Sequence, residues 1–349
     1  MGRHVVGKGL AMRHGKYLFP LLSIALVVTV GVCLTLGKYP VTLKDMTAFF
    51  LNEAFNIGSI SPDASRLFHN LFFDIRLPRV LAAVLIGASL SVSGAAFQAM
   101  FVNPLVSPSL LGVLAGASFG AALGIVFFKS WLAVQISTFV FGFAAVAIAV
   151  GMAKMYRGNN VLLLILGGVI SGALFTSLLS IIKYVADPYN QLPAITVWLM
   201  GGLSLVDMHT LEFSALFQVG SIILITLFSG YLNALSMGDE EARALGIPVE
   251  WVRTLLIVLA TLASALTVVM AGMIGWVGLI IPHIARMLVG PDNKTLIPAS
   301  ALIGAIFLVV VDDVSRLLFN VEIPVGITTS LIGIPFFAVI LRKSRKGWS

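Results

Sequence analysis

Residues Val80–Phe128 read VLAAVLIGASLSVSGAAFQAMFVNPLVSPSLLGVLAGASFGAALGIVFF and contain no charged side chain. A helix crosses the hydrocarbon core of a bilayer in about 20 residues, so this stretch is long enough for two crossings. It is interrupted by NPLVSP at 103–108, and proline both removes a backbone donor and disfavours helix at the preceding residue. We therefore predict two transmembrane helices here, at about 80–101 and 108–128.

Similar apolar stretches recur along the rest of the chain. They predict eight more spans, at about 17–37, 130–153, 160–182, 213–236, 251–271, 274–289, 295–314 and 323–341. The moderately apolar segment Pro188–Val206 is left over, and we interpret it as a short re-entrant or interfacial helix between spans five and six. The predicted fold is an all-α integral membrane protein of about ten transmembrane helices, in one transmembrane domain covering residues 1–349.

Composition supports a membrane protein and excludes several other classes. The chain has 349 residues, of which 59% are hydrophobic and 11% charged, whereas soluble domains carry roughly 25% charged residues. The net charge of +7 comes from basic residues in short segments between apolar runs, which is typical of membrane topology rather than of nucleic-acid binding. The single cysteine, Cys33, has no partner for an intrachain disulfide. The first apolar run is too long for a typical signal-peptide core, so we expect a retained span.

Basic residues also predict the orientation of the chain. An even number of spans places both termini on one side, and both tails are basic, so both are expected in the cytoplasm. These residues are Arg3, Lys8, Arg13, Lys16, Arg342, Lys343, Arg345 and Lys346. The segment Lys38–Arg79 is expected to be an external loop.

A faint internal repeat suggests two related halves. Ser93-Gly94 is followed ten residues later by Pro104, and Ala271-Gly272 is followed ten residues later by Pro282. Because spans two and seven run in opposite directions, the halves would form an inverted repeat, an arrangement common in transporters.

Four motifs occur in a fixed order. They are RLPR at 76–79 with NPL at 103–105, MGDEEARALG at 237–246, GWVGLIIPHIAR at 275–286, and the stretch from Asp312 to Phe337 containing EIPVG and GIPFF. Together they closely resemble the binding-protein-dependent ABC importer permeases for iron siderophores, haem and cobalamin. The resemblance runs from about Arg76 to Arg342.

The resemblance implies a set of partners and a location. Such permeases work as two permease copies with two ATP-hydrolysing subunits and an external, periplasmic or lipid-anchored, substrate-binding protein in a bacterial or archaeal cytoplasmic membrane. The sequence has no G-x-x-x-x-G-K-[ST] motif. We therefore expect a non-enzymatic subunit that binds no cofactor or metal, with ATP and Mg on the partner ATPase.

Three arginines are candidates for docking the binding protein. Guanidinium groups bind carboxylates through two parallel hydrogen bonds, and the resemblance implies that Arg76, Arg79 and Arg316 face acidic residues of the binding protein. The alternatives are that they anchor helix ends in lipid head groups or pair with Asp74 and Asp312.

The segment at 237–246 is the candidate for coupling to the ATPase. It predicts a short helix ended by Gly246, and a short helix suits a groove on a partner. The resemblance implies that it is the coupling helix; the alternative is a solvated loop. The residues concerned are Gly238, Asp239, Glu240, Glu241, Ala242 and Gly246.

Small residues in span five are candidates for the translocation pathway, although close helix packing is the default interpretation of such a face. The resemblance implies that span five lines the pathway and that a cytoplasmic gate lies near its start; alternatively, Asn160 caps the helix. The candidates are Asn159, Asn160, Gly167, Gly168, Ser171 and Gly172.

Other functional classes fit the sequence less well. An ion-coupled secondary transporter usually buries ionisable residues at mid-membrane, whereas these spans have almost no charge at their centres. An intramembrane enzyme needs a nucleophile–base pair or a metal cluster, and only scattered serines and His283 are present. For the substrate we expect an iron(III)-siderophore, while cobalamin, haem and molybdate stay open.

Overall fold

The computed structural model describes residues 3–39, 41–55, 61–128, 130–155, 160–204, 206–318 and 320–344. These residues form α-helices joined by short connections. The helices are α1 (Arg3–Thr35), α2 (Leu43–Phe55), α3 (Pro62–His69), α4 (Leu77–Met100), α5 (Val113–Leu123), α6 (Trp131–Met155), α7 (Asn160–Val185), α8 (Gln191–Met200), α9 (Met208–Leu227), α10 (Ser229–Leu235), α11 (Asp239–Ala244), α12 (Val249–Ala271), α13 (Val277–Val289), α14 (Asn293–Leu317) and α15 (Val325–Ser344).

Seven helical stretches of the described chain are long and apolar enough to cross a membrane. They are Tyr17–Thr35, Pro62–Met100, Trp131–Met155, Val161–Val185, Met208–Leu227, Val249–Ala271 and Asn293–Leu317. The other three predicted spans coincide with shorter apolar helices, Val113–Phe128, Val277–Val289 and Val325–Val339. The 13 residues of α13 rise about 20 Å, which is less than the hydrocarbon core of about 30 Å. The chain is a multi-pass helical membrane protein, and the count of ten spans stays a prediction.

The segment expected as an external loop is largely helical. Helix α2 lies within it, and α3 continues through a π-helical turn, Asn70–Arg76, into α4. A search for uncharged runs misses this extension because charged residues such as Asp63 and Asp74 interrupt the apolar pattern without interrupting the helix. The rings of Phe49 and Phe72 stack here at 5.7 Å between centroids and hold α2 against the chain leading to α4.

Helix α4 is the central helix of the bundle and packs against α9, α12, α13 and α14. It approaches two neighbours backbone to backbone. A Cβ atom at Gly94 would lie 1.9 Å from the Gly278 carbonyl oxygen on α13, and one at Gly87 would lie 2.1 Å from the Gly304 carbonyl oxygen on α14. These two crossings exclude any larger residue at Gly87 and Gly94.

The boundary between the predicted spans seven and eight is a break in the helix. Helix α12 ends at Ala271 and is followed by Gly272, whose φ of 66° suits glycine, and α13 begins after Trp276, whose φ is 70°. The matched position of the suggested repeat, Gly94, lies instead within the unbroken helix α4. The two motifs therefore differ in local structure, and the inverted repeat stays a prediction.

A second group of helices consists of α5, α6 and α7, which pack on one another. The short helix expected between spans five and six is present as α8, whose ten residues rise only about 15 Å. Predicted span six is interrupted at Phe228, which separates α9 from α10.

Candidate functional site

The first candidate site is a charge cluster where α4 begins and α14 ends. The Arg79 guanidinium donates from Nη2 to Asp312 Oδ1 at 2.7 Å and from Nε to Asp312 Oδ2 at 2.9 Å. The same guanidinium donates from Nη1 to Glu322 Oε2 at 3.3 Å. Asp312 is fully buried and Arg79 is 8% exposed. Their pairing fastens α14 and the segment before α15 to the start of α4.

Arg316 extends this cluster toward α1. Its Nε lies 3.2 Å from Asp312 Oδ2, and its Nη2 donates to Asp313 Oδ1. The Cys33 thiol of α1 donates to the same Asp313 oxygen at 3.1 Å. Arg316 therefore shares the buried Asp312 with Arg79. Pairing with Asp312, the alternative to docking named for these arginines, describes the contacts of both.

Arg76 is also held by its own chain, but by carbonyl groups. Its Nη1 donates to Leu34 O at 2.6 Å and to Thr35 O at 3.3 Å, and its Nη2 donates to Tyr39 O at 2.8 Å. The last carbonyls of a helix have no partner within that helix, so Arg76 caps the end of α1. All three predicted docking arginines are thus engaged inside the described chain, and contact with a binding protein stays a prediction.

The second candidate site is the predicted coupling segment, which forms the short helix α11 between Gly238 (φ 119°) and Gly246 (φ 79°). Arg253 of α12 pairs with Asp239, the first residue of α11, with 2.8 Å between Arg253 Nη1 and Asp239 Oδ2. This hydrogen bond holds the pKa of the Asp239 carboxyl below its usual range. Ala242 is fully buried in the core of its own chain.

The burial of Ala242 sets it apart from the other residues of the predicted coupling segment. Ala242 is among the residues expected to couple to the ATPase, but its side chain faces the core of its own chain. The opposite side of the segment is exposed and carries Glu240 and Glu241. Two large apolar side chains flank it, Met237 at 63% and Leu245 at 64% exposed. Sequence reasoning missed Leu245 and the support from Arg253.

The third candidate site is the small-residue face of α7. A Cβ at Gly168 would lie 2.1 Å from Leu110 O, and one at Gly167 would lie 2.5 Å from Ala149 O. Ser171 is buried and donates to Ala145 O at 2.7 Å. These contacts are close packing, which was the default interpretation of the small residues. Gly172 lies beside Gly112, with 3.8 Å between a Cβ at Gly172 and the Gly112 Cα.

The side chains exposed on α7 are not those of the residues predicted to line the pathway. This exposed side carries small and hydroxyl side chains at Ala173, Thr176, Ser177 and Ser180, set among large apolar side chains such as Val169, Ile170 and Ile181. Thr176 donates to Gly172 O at 2.8 Å and Ser180 donates to Thr176 O at 2.9 Å. Of the predicted gate residues, Asn159 lies outside the described residues, and the backbone of Asn160 begins α7.

Comparisons with known proteins agree on one kind of protein. A family model described as the FecCD transport family matches residues 25–343. The molybdate import system permease MolB of Haemophilus influenzae is 38% identical over 335 residues, which cover 96% of this chain and 97% of MolB. A probable iron chelatin transport system permease of Helicobacter pylori is 36% identical over 324 residues, covering 93% and 98% of the two chains.

A solved structure supports the same similarity. The chain superposes on an ABC transporter of the metal-chelate type, in an inward-facing conformation, with a TM-score of 0.83 and 36% identity. The match covers 94% of this chain and 99% of that one.

Proposed function

The chain belongs to the FecCD transport family, and from that premise we propose that it is the membrane-spanning subunit of an ATP-driven importer for a bulky metal chelate. The observation that carries the proposal is the geometry of α11. One side of this helix is fixed in its own chain through Ala242 and Asp239, and the other side presents Glu240, Glu241 and Leu245. A helix anchored in this way transmits force because its internal hydrogen bonds make it stiff.

The proposed partners follow from this arrangement. An ATPase subunit, carrying ATP and Mg, docks on the exposed side of α11, and a binding protein delivers the substrate at the opposite membrane face. Both termini lie in the cytoplasm, and a second permease copy completes the pathway. The exposed hydroxyl face of α7, at Thr176, Ser177 and Ser180, suits such a pathway because it offers a bulky ligand weak contacts and no charge.

Docking of the binding protein through Arg76, Arg79 and Arg316 is part of the proposal. Because Arg79 is ion-paired within its own chain, Arg79→Glu alone would disturb folding as well as docking. The double variant Arg79→Gln with Asp312→Asn removes both charges of the pair together, so that no buried carboxylate is left without its partner. We expect it to weaken binding of the binding protein at least tenfold while the permease still folds and co-purifies with the ATPase, and unchanged affinity would remove docking through Arg79.

For the substrate, we propose an iron(III)-siderophore, in line with the Helicobacter relative named for iron chelatin. Molybdate is the second candidate because the Haemophilus relative named for molybdate is similar over the same length. The two differ in size and charge, so uptake of radioactive iron chelate and of radioactive molybdate in one vesicle preparation separates them. The cognate binding protein is included in both assays.

The test of the proposed function is reconstitution in vesicles with and without the ATPase subunit. We expect uptake only with ATPase, ATP and binding protein together. Uptake driven by an ion gradient without the ATPase would instead support a secondary transporter and overturn the proposal.

The role of α11 is tested by Leu245→Arg, with Met155→Arg as the matched control. Both side chains are exposed, at 64% and 78%, and both lie at helix ends on the proposed cytoplasmic face. Leu245→Arg should reduce co-purification of the ATPase at least tenfold, whereas Met155→Arg should leave it unchanged. Equal retention in both variants would place the coupling contact elsewhere.

A further inference from the structure

A cavity of about 190 Å³ lies where α6 begins and where α8 and α12 end, beside the segment that leads into α15. The side chains that give it its chemistry are Trp131, Trp198, Ser204 and Glu322. Helix α12 is tied to α11 in its first turns, and its 23 residues rise about 34 Å before Ala271 reaches the cavity wall. The cavity therefore lies at the end of the bundle opposite to α11, on the face where the binding protein of the proposed function would dock.

The cavity wall consists partly of non-helical backbone that is fixed by close contacts. Gly202 N donates to Ala271 O at 2.8 Å, which joins the end of α8 to the end of α12. A Cβ at Gly272 would lie 2.2 Å from Trp198 O, so no larger residue fits there. Non-helical backbone occurs at membrane depth only where it is buried in protein or lines a cavity. These contacts fix the shape of the cavity without a ligand.

Two indole rings and one carboxylate determine what the cavity can bind. Trp131 is 40% exposed, and the ring of Trp198 is buried behind it in the wall. Among the described residues that line the cavity, Glu322 alone is charged, and its partner Arg79 is not part of the lining. The Glu322 side chain is partly exposed to solvent. A ligand in the cavity therefore meets a carboxylate and an aromatic surface.

The negative charge of Glu322 is only partly neutralised within the chain. Arg79 divides its guanidinium between Glu322 and the buried Asp312, and Arg316 divides its own between Asp312 and Asp313. These five paired groups are two guanidinium groups and three carboxylates, which leaves one negative charge in excess. Glu322 is the most exposed of the three carboxylates. The excess charge is therefore available to a cation in the cavity.

We propose that the cavity binds the guanidinium group of an arginine on the substrate-binding protein, an inference that rests on the proposed function. The guanidinium plane stacks on the Trp131 indole and donates to the Glu322 carboxylate. A planar cation can make both contacts at once, because its faces are free for an aromatic ring while its N–H groups point outward in the plane.

The volume and the position of the cavity select this occupant. Pockets for drug-sized ligands measure about 300–1,000 Å³, so this cavity of about 190 Å³ holds the end of one side chain rather than a bulky chelate. Glu322 also contacts Arg79, one of the three arginines proposed to dock the binding protein. An arginine that enters here adds a contact of opposite sign beside them, and contacts of both signs fix the orientation in which two partners meet.

The first test uses the full chain in detergent micelles without any partner. Its tryptophan fluorescence is titrated with N-acetylarginine amide and, as the matched control, with N-acetylcitrulline amide, in which an uncharged urea of the same shape replaces the guanidinium. We expect a saturable change with the arginine derivative and at least tenfold weaker binding of the citrulline derivative. Equal binding of the two, or no saturable change with either, would overturn the proposal.

Two matched pairs of variants locate the site. Glu322→Gln, which leaves Arg79 paired with Asp312, should weaken binding of N-acetylarginine amide at least tenfold. Glu212→Gln changes an exposed carboxylate of α9 outside the lining and should not. Gly202→Leu should block the cavity without disturbing the ion pairs, because a Cβ there meets only Ser204 Oγ, at 3.9 Å. Its control is Gly220→Leu, where a Cβ meets nothing within 4 Å. Unchanged binding by Glu322→Gln or by Gly202→Leu would contradict the proposal.

The cognate binding protein separates this inference from the proposed function. We expect Gly202→Leu to weaken its affinity for the permease at least tenfold relative to Gly220→Leu. If the wild type binds and both variants bind equally well, the inference fails and the proposed function stands. If the wild type does not bind at all, the proposed function fails, and the titration with N-acetylarginine amide still decides whether the cavity takes a guanidinium group.

The chain itself offers one competing cation. Lys129 precedes Trp131 by two positions in the sequence and lies outside the described residues. Lys129→Ala should bind N-acetylarginine amide as the wild type does. Clearly tighter binding by this variant would show that the chain's own lysine occupies the cavity, and it would overturn the proposal.

Discussion

Replacing Arg79 by methionine tests whether the buried charge cluster stabilises the fold. The change removes the hydrogen bonds to Asp312 and the contacts with Glu322, while the alkyl part of the side chain is kept. Asp312 is then a fully buried carboxylate whose remaining cation is Arg316, with 3.2 Å between Arg316 Nε and Asp312 Oδ2. Breaking a buried pair from one side costs about 3–5 kcal/mol. Because Arg316 remains, we expect the lower limit, about 3 kcal/mol.

The double variant Arg79→Met with Asp312→Leu gives the decisive comparison. It leaves no buried unpaired carboxylate, and apolar replacement of a buried pair is often close to neutral. Arg316 keeps Asp313 as its partner, and Glu322 is partly exposed to solvent. We therefore expect the double variant to be about 2 kcal/mol more stable than Arg79→Met alone.

The measurement is the free energy of unfolding in mixed detergent micelles, followed by circular dichroism as a denaturing detergent is added. Arg66→Met, the same change at an exposed arginine of α3, is the control and should stay within about 0.5 kcal/mol of the wild type. A loss below about 1 kcal/mol for Arg79→Met, or a double variant as unstable as the sum of its parts, would refute the reasoning.

Four further changes follow from single contacts. Gln218→Leu should raise the detergent concentration at the unfolding midpoint, because both amide atoms of this fully buried side chain have no hydrogen-bond partner in the described chain. A lower midpoint would show that the Gln218 amide does form a stabilising hydrogen bond. Ala242→Arg should lower the yield of folded permease purified without the ATPase, since it places a charge in the core, and a normal yield would contradict the burial of Ala242. Gly94→Ala should destabilise the bundle by more than about 1 kcal/mol, because its Cβ would lie 1.9 Å from the Gly278 carbonyl oxygen. Unfolding experiments test this against Gly151→Ala, a control in which the added Cβ meets nothing within 4 Å. The lowered pKa of Asp239 contributes stability above the usual carboxyl pKa of about 3.9, and this contribution is lost as pH falls through the lowered value. Melting temperatures measured between pH 3 and 7 should therefore fall more steeply with acid for the wild type than for Asp239→Asn.

The sequence was sufficient to predict the kind of fold because hydrocarbon imposes a simple length rule. Each predicted span overlaps an apolar helix of the described chain, although span six is broken at Phe228 and the count of ten stays a prediction. The chain break between α12 and α13 coincides with the glycines at 272 and 275. The extension of α4 back to Pro62 was missed because its charged residues, Asp74 among them, interrupt the apolar run. Charged residues mark the parts of the chain that lie outside the hydrocarbon core, but they do not show where a helix that continues beyond the core begins.

The contacts of the candidate residues could not be read from the sequence. The resemblance groups the three arginines as one docking set, which stays a prediction, and only the folded chain shows that Arg79 reaches Glu322 and Asp312, more than 200 positions away. In α11 the sequence predicts a helix, and the side that faces the core depends on α12 behind it. This is why Ala242 was expected at the partner surface and Leu245 was overlooked.

The backbone-to-backbone crossings have a consequence for motion. Helix α4 is joined to α13 and α14 through glycines, and α5, α6 and α7 are joined in the same manner, since a Cβ at Gly116 would lie 2.2 Å from Phe141 O and one at Gly167 would lie 2.5 Å from Ala149 O. Helices in such close contact cannot slide past one another without separating, because interiors are close-packed. We therefore expect each group to move as a rigid body, with the hinge between them at α12, which contacts both groups. The ion pair between Arg253 and Asp239 ties α11 to the first turns of α12, so a displacement of α11 would act as a lever on that hinge.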